Sequence, residues 1–313
     1  MRKLISMSAA TFLAVAVYSP VSGQVTLQRK HAEGGSVSFE TTFLLNQVLT
    51  ISGMEFKSMV DSGETRTLST GKTNADGNVP ITTRIDATRL SLTIPGGGQL
   101  LFDSSLNVAK AEDPKLEPYL DVLRTAVGAS YTLLVDPQEQ VTAVEGVQEI
   151  LARAPAKAAE LLKSQFAAER LKREYRESVE TLPSGAVQPG DTWERTVTLD
   201  LGAGQIMKVE RRFEYKGRAE RNGRQLDEIA VADKRVASFE IEPNGEFPAK
   251  VASSELAPAE DSKGQIYFDR ELGDDVESTH VLHLKGKMTL TIQGMDLPSE
   301  LDLRIDSQSK IKK

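Results

Sequence analysis

Alternation of apolar and polar residues in both halves of the chain predicts long β-strands. A period of two places successive side chains on opposite faces, so every second residue can be buried. The first half contains two such sets, which are Val79, Ile81, Thr83 and Ile85, and then Leu90, Leu92 and Ile94. The second set has the opposite phase. A bulge near Ala87 to Arg89 would bring both sets onto one face, because a bulge inserts one extra residue.

The second half contains longer alternating runs. The residues expected on buried strand faces are Val197, Leu199 and Leu201, then Met207, Val209, Phe213 and Tyr215, then Leu282, Leu284, Met288, Leu290 and Ile292, and finally Leu301, Leu303 and Ile305. Asn222-Gly223 is typical of a two-residue hairpin turn, and Pro243-Asn244-Gly245 predicts another turn. Strands joined by such turns pair antiparallel and can keep one face apolar and the other in water.

The segment between the two β-rich halves has the three- and four-residue spacing of helices. Asp113 and Pro114 predict a helix over 114–127, with Asp113 as the N-cap and Gly128 as the residue that ends it. A short helix is predicted over 147–153 and a longer one over 155–178.

One-faced strands in both halves need cover for their apolar side, and we expect the central helices to supply it. The pattern predicts an α+β fold that is mostly antiparallel β, a strongly curved sheet or incomplete barrel made from two β halves and covered by the central helices. The predicted parts are a signal peptide at 1–23, an N-terminal β half at 24–145, a helical segment at 146–181 and a C-terminal antiparallel β half at 182–313. We expect the parts after the signal peptide to pack as one compact unit.

Two short motifs occur once in each half. Residues 48–54 resemble residues 289–295, and residues 99–103 resemble residues 265–269. The motifs follow in the opposite order in the second half, which is not the arrangement of a simple tandem duplication. Either the halves are related, or similar hairpins select similar residues.

Several motifs, taken in order, resemble a family of exported bacterial proteins of unknown function. They are Gln-Leu-Leu-Phe-Asp-Ser at 99–104, the hairpin from Tyr131 to Gly146, Leu182-Pro183, Val187-Gln188-Pro189-Gly190-Asp191-Thr192-Trp193, and Gly-Gln-Ile-Tyr-Phe-Asp at 264–269 followed by Val276-Glu277-Ser278-Thr279. The resemblance extends over nearly the whole chain after residue 23. It implies no particular activity and no functional residues.

The first 23 residues have the composition of a secretory signal peptide. Arg2 and Lys3 precede a mostly apolar run from Leu4 to Tyr18, and small residues follow before Gln24. We expect signal-peptidase cleavage between Gly23 and Gln24, and therefore a periplasmic or secreted protein. The alternative is a retained membrane anchor, but a spanning helix needs about 20 apolar residues, which is longer than this run.

Charge and cysteine content narrow the classes of function. The formal net charge is −7, and loss of Arg2 and Lys3 with the signal peptide lowers it to −9. This balance disfavours nucleic acid as a partner, because nucleic-acid binding depends on basic patches, and it disfavours simple adsorption to anionic membranes. The chain has no cysteine, which excludes disulfides and thiolate chemistry. No later apolar stretch predicts a stable transmembrane span.

The sequence contains no recognisable catalytic or metal site. His280 and His283 are three residues apart on a predicted strand and so face opposite sides, and His31 lies in an N-terminal segment expected to be mobile. No Gly-x-Ser-x-Gly signature occurs, and Gly96-Gly97-Gly98 lacks the residues of a phosphate-binding loop. We therefore predict no catalytic residue, no cofactor and no metal, and a protein that is not an enzyme.

Some acidic residues and the single tryptophan allow two interpretations each. Asp103 and Asp269 hold matching places in the two motifs and could form a glycosidase-like pair, but aspartate after a strand more often caps a turn. Gly273-Asp274-Asp275 could bind calcium, yet a solvated turn is the favoured interpretation. Trp193 could stack on a ligand, although a core anchor is favoured.

Two functions follow from this reasoning. The first is a non-enzymatic exported protein that binds an apolar or acylated ligand, such as a lipid or a lipoprotein, between sheet and helices. The predicted outline is similar to periplasmic lipoprotein carriers and lipid-binding half-barrels, where that space accepts acyl chains. The second is a structural or protein-interaction component of the bacterial cell envelope, which would bind another protein along a strand edge.

Overall fold

A computed structural model of the chain describes residues 23–96, 98–202, 204–241 and 249–312. Residues 1–22 of the predicted signal peptide lie outside these ranges, as does the turn predicted at Pro243-Asn244-Gly245. Cleavage between Gly23 and Gln24 therefore stays a prediction.

In the part of the chain that the structure describes, 14 strands form one antiparallel sheet. Those before the main helical segment are β1 (Ser36–Ile51), β2 (Met54–Thr70), β3 (Val79–Ile94), β4 (Gly98–Asp103), β5 (Val108–Ala111), β6 (Ser130–Val135) and β7 (Val141–Glu145). Those after it are β8 (Thr192–Asp200), β9 (Gln205–Arg221), β10 (Arg224–Ile241), β11 (Ala249–Pro258), β12 (Lys263–Asp269), β13 (Asp274–Ile292) and β14 (Met295–Ile311).

The first and last long strands are neighbours, so the two β halves share one sheet. The order is β5-β4-β3-β2-β1-β14-β13-β12-β10-β9-β8, with β6 pairing to β3 and β7, and β11 pairing to β13. β1 and β14 pair over almost their full length, with Leu45 opposite Ile305 and Ile51 opposite Ser299. The sheet is curved and not closed, which confirms the predicted fold class. The predicted division into domains stays a prediction.

A single bulge in β3 explains the change of phase in its sequence. Thr65 pairs with Ala87 whereas Arg66 pairs with Ile85, so Asp86 is the extra residue. The bulge at Asp86 lies one residue before the stretch Ala87 to Arg89, where the sequence predicts it. It keeps Ile85 and Leu90 on the face that packs against the helices.

Both copies of the first repeated motif, residues 48–54 and 289–295, contain the same hairpin. Ile51 pairs with Met54 across Ser52-Gly53, and Ile292 pairs with Met295 across Gln293-Gly294. The two turn residues have positive φ in each case, with values of 49° and 85° in the first turn and 53° and 81° in the second. These values suit the tight turns that match the twist of paired strands. Asn222-Gly223 forms the same kind of turn between β9 and β10.

The helices are α1 (Glu117–Ala126), α2 (Val147–Arg153), α3 (Ala156–Gln165) and α4 (Ala168–Glu180). A 3₁₀ turn at Pro114–Leu116 precedes α1, and the carboxylate of Asp113 accepts a hydrogen bond from the backbone N–H of Lys115 at 2.8 Å, which confirms the predicted N-cap. α2 has its predicted bounds. The single helix predicted over 155–178 is wrong, because Phe166 leaves the helical conformation and buries its ring against Tyr131.

Helices cover only part of the sheet. Apolar residues of α1 to α4 pack on β3 and β6 in one cluster that includes Ile81, Leu133 and Leu162. The largest cluster contains strand residues alone, with Met207 and Val209 of β9 in the same core as Leu284 of β13. The expectation that the helices supply the cover is therefore wrong for this half. Here the curved sheet packs its apolar face against itself.

Among the described residues, no helix is long and apolar enough to cross a membrane.

Candidate functional site

A cavity of about 300 Å³ lies between the sheet and helix α4. Its apolar walls come from four strands and one helix, and the residues are Val37, Phe39, Leu68, Ile81, Tyr131, Leu133 and Leu171. The strand register explains this wall. Val37 pairs with Leu68 across β1 and β2, and Leu68 pairs with Thr83 across β2 and β3, so these side chains share a face.

A second depression, of about 660 Å³, lies at the hairpin end of the sheet and is more open to solvent. Most of its lining residues have polar or charged side chains, among them Thr50, Glu255, Lys287 and Glu300. The smaller cavity is the better candidate for a ligand site, because ligand pockets are concave and mostly apolar with a few polar groups.

Residues 23–35, called the strap below, run across the cavity and line one side of it. Val25 and Val187 exchange two backbone hydrogen bonds of 2.8 Å, and the side chain of Leu27 is buried in a core cluster. The backbone N–H of Gly34 donates to the carbonyl of Thr70 at 2.9 Å. The expectation of a mobile N-terminal segment is therefore wrong, because the strap has both apolar and hydrogen-bonded anchors.

Arg29 is the centre of the strap's contacts. Its guanidinium forms an ion pair with Asp274 and a second one with Asp275 at 2.9 Å, and only 11% of its side chain is exposed. It also lies 5.9 Å from the centre of the Phe268 ring and donates to the carbonyl of Ser178 at 3.3 Å. Burial opposes the charge on Arg29, but the two carboxylates outweigh it and raise the pKa of the guanidinium.

The solvated turn predicted at Gly273-Asp274-Asp275 is thus wrong, because both aspartates hold the strap. Gly273 has φ of +71°, and a Cβ added to it would lie 2.3 Å from the Cβ of Lys30. The backbone N–H of Lys30 donates to the carbonyl of Gly273 at 3.2 Å. Glycine is therefore needed for the strap to approach this closely.

His31 and Tyr175 form the polar contact between the strap and α4. Nε2 of His31 lies 3.0 Å from the Tyr175 hydroxyl. Burial, and secondly the charge of Arg29, lower the pKa of His31, so its imidazole is neutral at pH 7. Burial also raises the pKa of Tyr175, which keeps the phenol protonated.

We expect acid to loosen this contact. Because the pKa of His31 in the folded state lies below its ordinary value of 6.5, the unfolded chain binds the proton more readily. The stabilisation is complete above that ordinary value and is lost as the pH falls through the folded-state pKa. Between about pH 7.5 and about pH 5, the wild type should lose about 2 °C more in melting temperature than His31→Gln. Equal losses in thermal melts would contradict this role.

The other two histidines lie on opposite faces of β13, as their spacing predicts. His280 points inward, where Nδ1 lies 3.3 Å from Nη2 of Arg211 and Nε2 lies 2.8 Å from Oδ2 of Asp233. His283 points outward and lies between Asp261 and Asp302, at 3.0 Å and 3.1 Å. In the described ranges, no group of three or more His, Cys, Asp or Glu side chains is placed to hold a metal ion.

Asp103 and Asp269 both cap turns, which confirms the favoured interpretation. Asp103 accepts hydrogen bonds from the backbone N–H groups of Ser105 and Leu106 at 2.8 and 3.1 Å. Asp269 accepts hydrogen bonds from the backbone N–H groups of Glu271 and Leu272 at 2.8 and 3.2 Å. It also forms an ion pair with Arg224.

Trp193 is a core anchor. Its indole N–H donates to the carbonyl of Thr181 at 2.9 Å, and its ring stacks on Phe213 with centroids 5.6 Å apart. This contact joins the end of the helical segment to the second β half.

Sequence reasoning missed the buried Arg211–Asp233 pair. Arg211 occupies an inward position of β9 between Val209 and Phe213, and its Nε donates to Oδ1 of Asp233 at 2.7 Å. The available signal was Arg211 itself, because the alternation of β9 places this charged residue on the same face as buried apolar ones. A buried charge needs a partner, and the alternation alone does not say which strand supplies it.

Comparison with known proteins adds little about function. No curated protein matches the sequence. A structure of lipovitellin that describes its lipid-protein interactions aligns with a TM-score of 0.45 and 8% identity, over 91% of this chain and 26% of that one. This chain thus spans about a quarter of the lipovitellin chain.

Two bacterial structures align less well. The COG4313 outer membrane channel from Pseudomonas putida F1 gives a TM-score of 0.24 and 8% identity, over 91% of this chain and 98% of the channel. A DUF1329 family protein from Desulfovibrio piger ATCC 29098 gives a TM-score of 0.12 and 9% identity, over 86% of this chain and 84% of that protein. Scores this low support no argument about function.

A match to a protein family covers the segment from just before β3 to the turn after β9. It includes the cavity residues Ile81, Leu133 and Leu171 and excludes the strap. The resemblance to a family of unknown function is thereby confirmed: residues 76–222 match the Family of unknown function (DUF6263).

Proposed function

We propose that this protein is a non-enzymatic, exported binding protein that holds one apolar or acylated chain in the cavity between the sheet and α4. The observation that carries the proposal is the cavity itself, a space of about 300 Å³ that is open to solvent on one side, with an apolar wall on the sheet and polar side chains on the strap and α4. Apolar surface in contact with water is unfavourable, so a ligand that covers this wall gains about 25 cal/mol for each Å² removed from water.

The size of the cavity favours a single chain over a two-chain lipid. Ligand pockets range from about 300 to about 1,000 Å³, and this one lies at the lower end. The strands offer the hydroxyl groups of Thr70 and Thr83 beside aliphatic and aromatic side chains, and the strap and α4 add charged and polar groups. A hydrocarbon chain with a small polar end fits this arrangement.

The two arginines that line the cavity are already paired, which favours a ligand without an ionised group buried beside them. Arg29 is bound by Asp274 and Asp275, and Arg66 is bound by Glu64. Among the described lining residues, Lys30 is the remaining cation, and its ammonium donates to the carbonyl of Arg270 at 2.7 Å. A carboxylate buried away from Lys30 would be unpaired, and burial of an unpaired charge is strongly unfavourable. We expect the ligand's polar end to be uncharged or to remain at the mouth of the cavity.

Filling the cavity tests the proposal. Leu133→Trp places a larger ring in the wall and should weaken binding of a dye-labelled dodecyl chain by about tenfold, the effect of excluding roughly two methylene groups. Leu106→Trp is the matched control, because Leu106 is 73% exposed and remote from the cavity lining. Leu171→Phe is a milder second variant that keeps the test valid if overpacking unfolds Leu133→Trp.

Fluorescence titration supplies the dissociation constants. The proposal requires wild type and Leu106→Trp to bind alike and the two cavity variants to bind less. It is abandoned if the wild type shows no saturable binding, or if all four proteins bind equally.

A second candidate function is attachment to another envelope protein. Met54, Phe56 and Met295, called the apolar tips below, are 63%, 36% and 58% exposed. They lie on the β1–β2 and β13–β14 hairpins, which turn at the same end of the sheet because β1 and β14 are neighbours. Exposed apolar patches mark interaction surfaces, and three such side chains at one end of the sheet could contribute to one. A Met54→Ser, Met295→Ser double variant that loses an envelope partner while retaining the dodecyl chain would favour this function.

A further inference from the structure

We infer that the strap is the gate through which a hydrocarbon chain reaches the cavity, and that the ion pairs of Arg29 keep this gate closed. The inference rests on the proposed function. Arg29, Lys30, His31 and Ala32 of the strap all line the cavity, while its other walls belong to paired strands, to α4 and to Leu272 in the turn between β12 and β13. Opening of the strap is therefore the route that leaves the sheet intact.

The strap is fixed at its two ends and more weakly held between them. At one end Val25 pairs with Val187, and at the other Thr70 bonds to Gly34 and Gly35 through the backbone. Between these anchors the strap forms no strand ladder, so its backbone bonds are isolated ones. Such a segment can separate locally at a lower cost than any strand of the sheet.

Side chains supply most of the hold on the middle of the strap. Arg29 reaches Asp274 and Asp275 at the start of β13, the ammonium of Lys30 donates to the carbonyl of Arg270 at 2.7 Å, and His31 contacts Tyr175. Arg29 is the most buried of these charged contacts and pairs with two carboxylates at once. Charge-assisted bonds of this kind are stronger than neutral ones. Among the polar side chains of the strap, loss of Arg29 should therefore open it more than loss of Lys30 or His31.

A gate of this kind should control the rates at which the dodecyl chain binds and leaves. Arg29→Met keeps most of the apolar stem and removes the charge, so the strap opens more often while the apolar walls remain. Association and dissociation of the dodecyl chain should both become about tenfold faster, with little change in the dissociation constant. Arg235→Met is the matched control, since Arg235 pairs with Glu210 on the exposed outer face of β9 and β10.

Stopped-flow fluorescence with the dye-labelled dodecyl chain measures both rates, and hydrogen exchange read by mass spectrometry reports on the strap directly. We expect Arg29→Met to raise exchange in residues 25–35 and to accelerate both rates, and Arg235→Met to do neither. A wild type that binds the chain but whose rates and strap exchange are the same in Arg29→Met overturns the gate alone. A wild type that binds no chain overturns the proposed function and the gate with it.

Discussion

Replacement of Asp233 by alanine is expected to lower the free energy of unfolding by about 3 kcal/mol, because it leaves the buried guanidinium of Arg211 without its carboxylate. The side chain of Asp233 is fully buried and that of Arg211 is 17% exposed. Burial alone would raise the pKa of Asp233, but the bond to His280 and the charge of Arg211 outweigh it and lower that pKa. The carboxylate is thus ionised and paired in the folded protein.

The geometry of this cluster also fixes the proton on His280. A guanidinium can only donate and a carboxylate can only accept. Nδ1 of His280, which lies 3.3 Å from Arg211, must therefore accept, and Nε2, which lies 2.8 Å from Asp233, must carry the hydrogen. Asp233→Ala removes the partners of both Arg211 and His280, which is why its effect should be large.

The chain provides a matched control on the same two strands. Glu210 of β9 pairs with Arg235 of β10, but on the outer face, where Arg235 is 67% exposed. Glu210→Ala should cost less than about 1 kcal/mol, as is usual for a surface pair. Urea unfolding followed by the fluorescence of Trp193, the single tryptophan, gives both values. Equal costs for the two variants would show that the Arg211–Asp233 pair is not buried in solution.

Replacement of Leu284 by alanine is expected to cost about 3 kcal/mol. Leu284 is fully buried in the cluster where strands pack on strands without a helix. The loss combines the missing burial with the cavity that remains, and it is this large only if the surroundings are tightly packed.

The cost of Leu284→Ala measures how tightly this cluster is packed. Leu106→Ala, at a side chain that is 73% exposed, should change stability by less than about 0.5 kcal/mol under the same conditions. A cost near 1 kcal/mol for Leu284→Ala would mean that this cluster is loosely packed. The cavity beside α4 would then no longer be the preferred binding site for an apolar hydrocarbon chain.

Most of the secondary structure follows from local patterns. The period of two in β13 and β14, the Asp113 cap and the Asn222-Gly223 turn each depend on residues close in sequence, and each is found where it is predicted. The break at Phe166 is different, because the helical pattern continues through it. What ends α3 is the burial of a ring against Tyr131, a contact that no local pattern contains.

The candidate site depends on contacts between distant parts of the chain. Arg29 and Asp274 are 245 residues apart in sequence, and nothing in either segment indicates that the two residues meet. The strap has no periodicity, so it resembles a mobile terminus until its partners are known. Gly273 was one local signal, since a glycine before two aspartates can mark a close approach of another backbone as well as a turn.

The most direct test of the central claim is photochemical labelling with a dodecyl chain that carries a diazirine, followed by mass spectrometry of the labelled peptides. We expect the label on the walls of the cavity, in peptides containing Val37, Leu68, Leu133 or Leu171. Excess unlabelled dodecyl chain and the Leu133→Trp substitution should both reduce this labelling. Labelling confined to the apolar tips, or labelling that neither treatment reduces, would contradict a binding site between the sheet and α4.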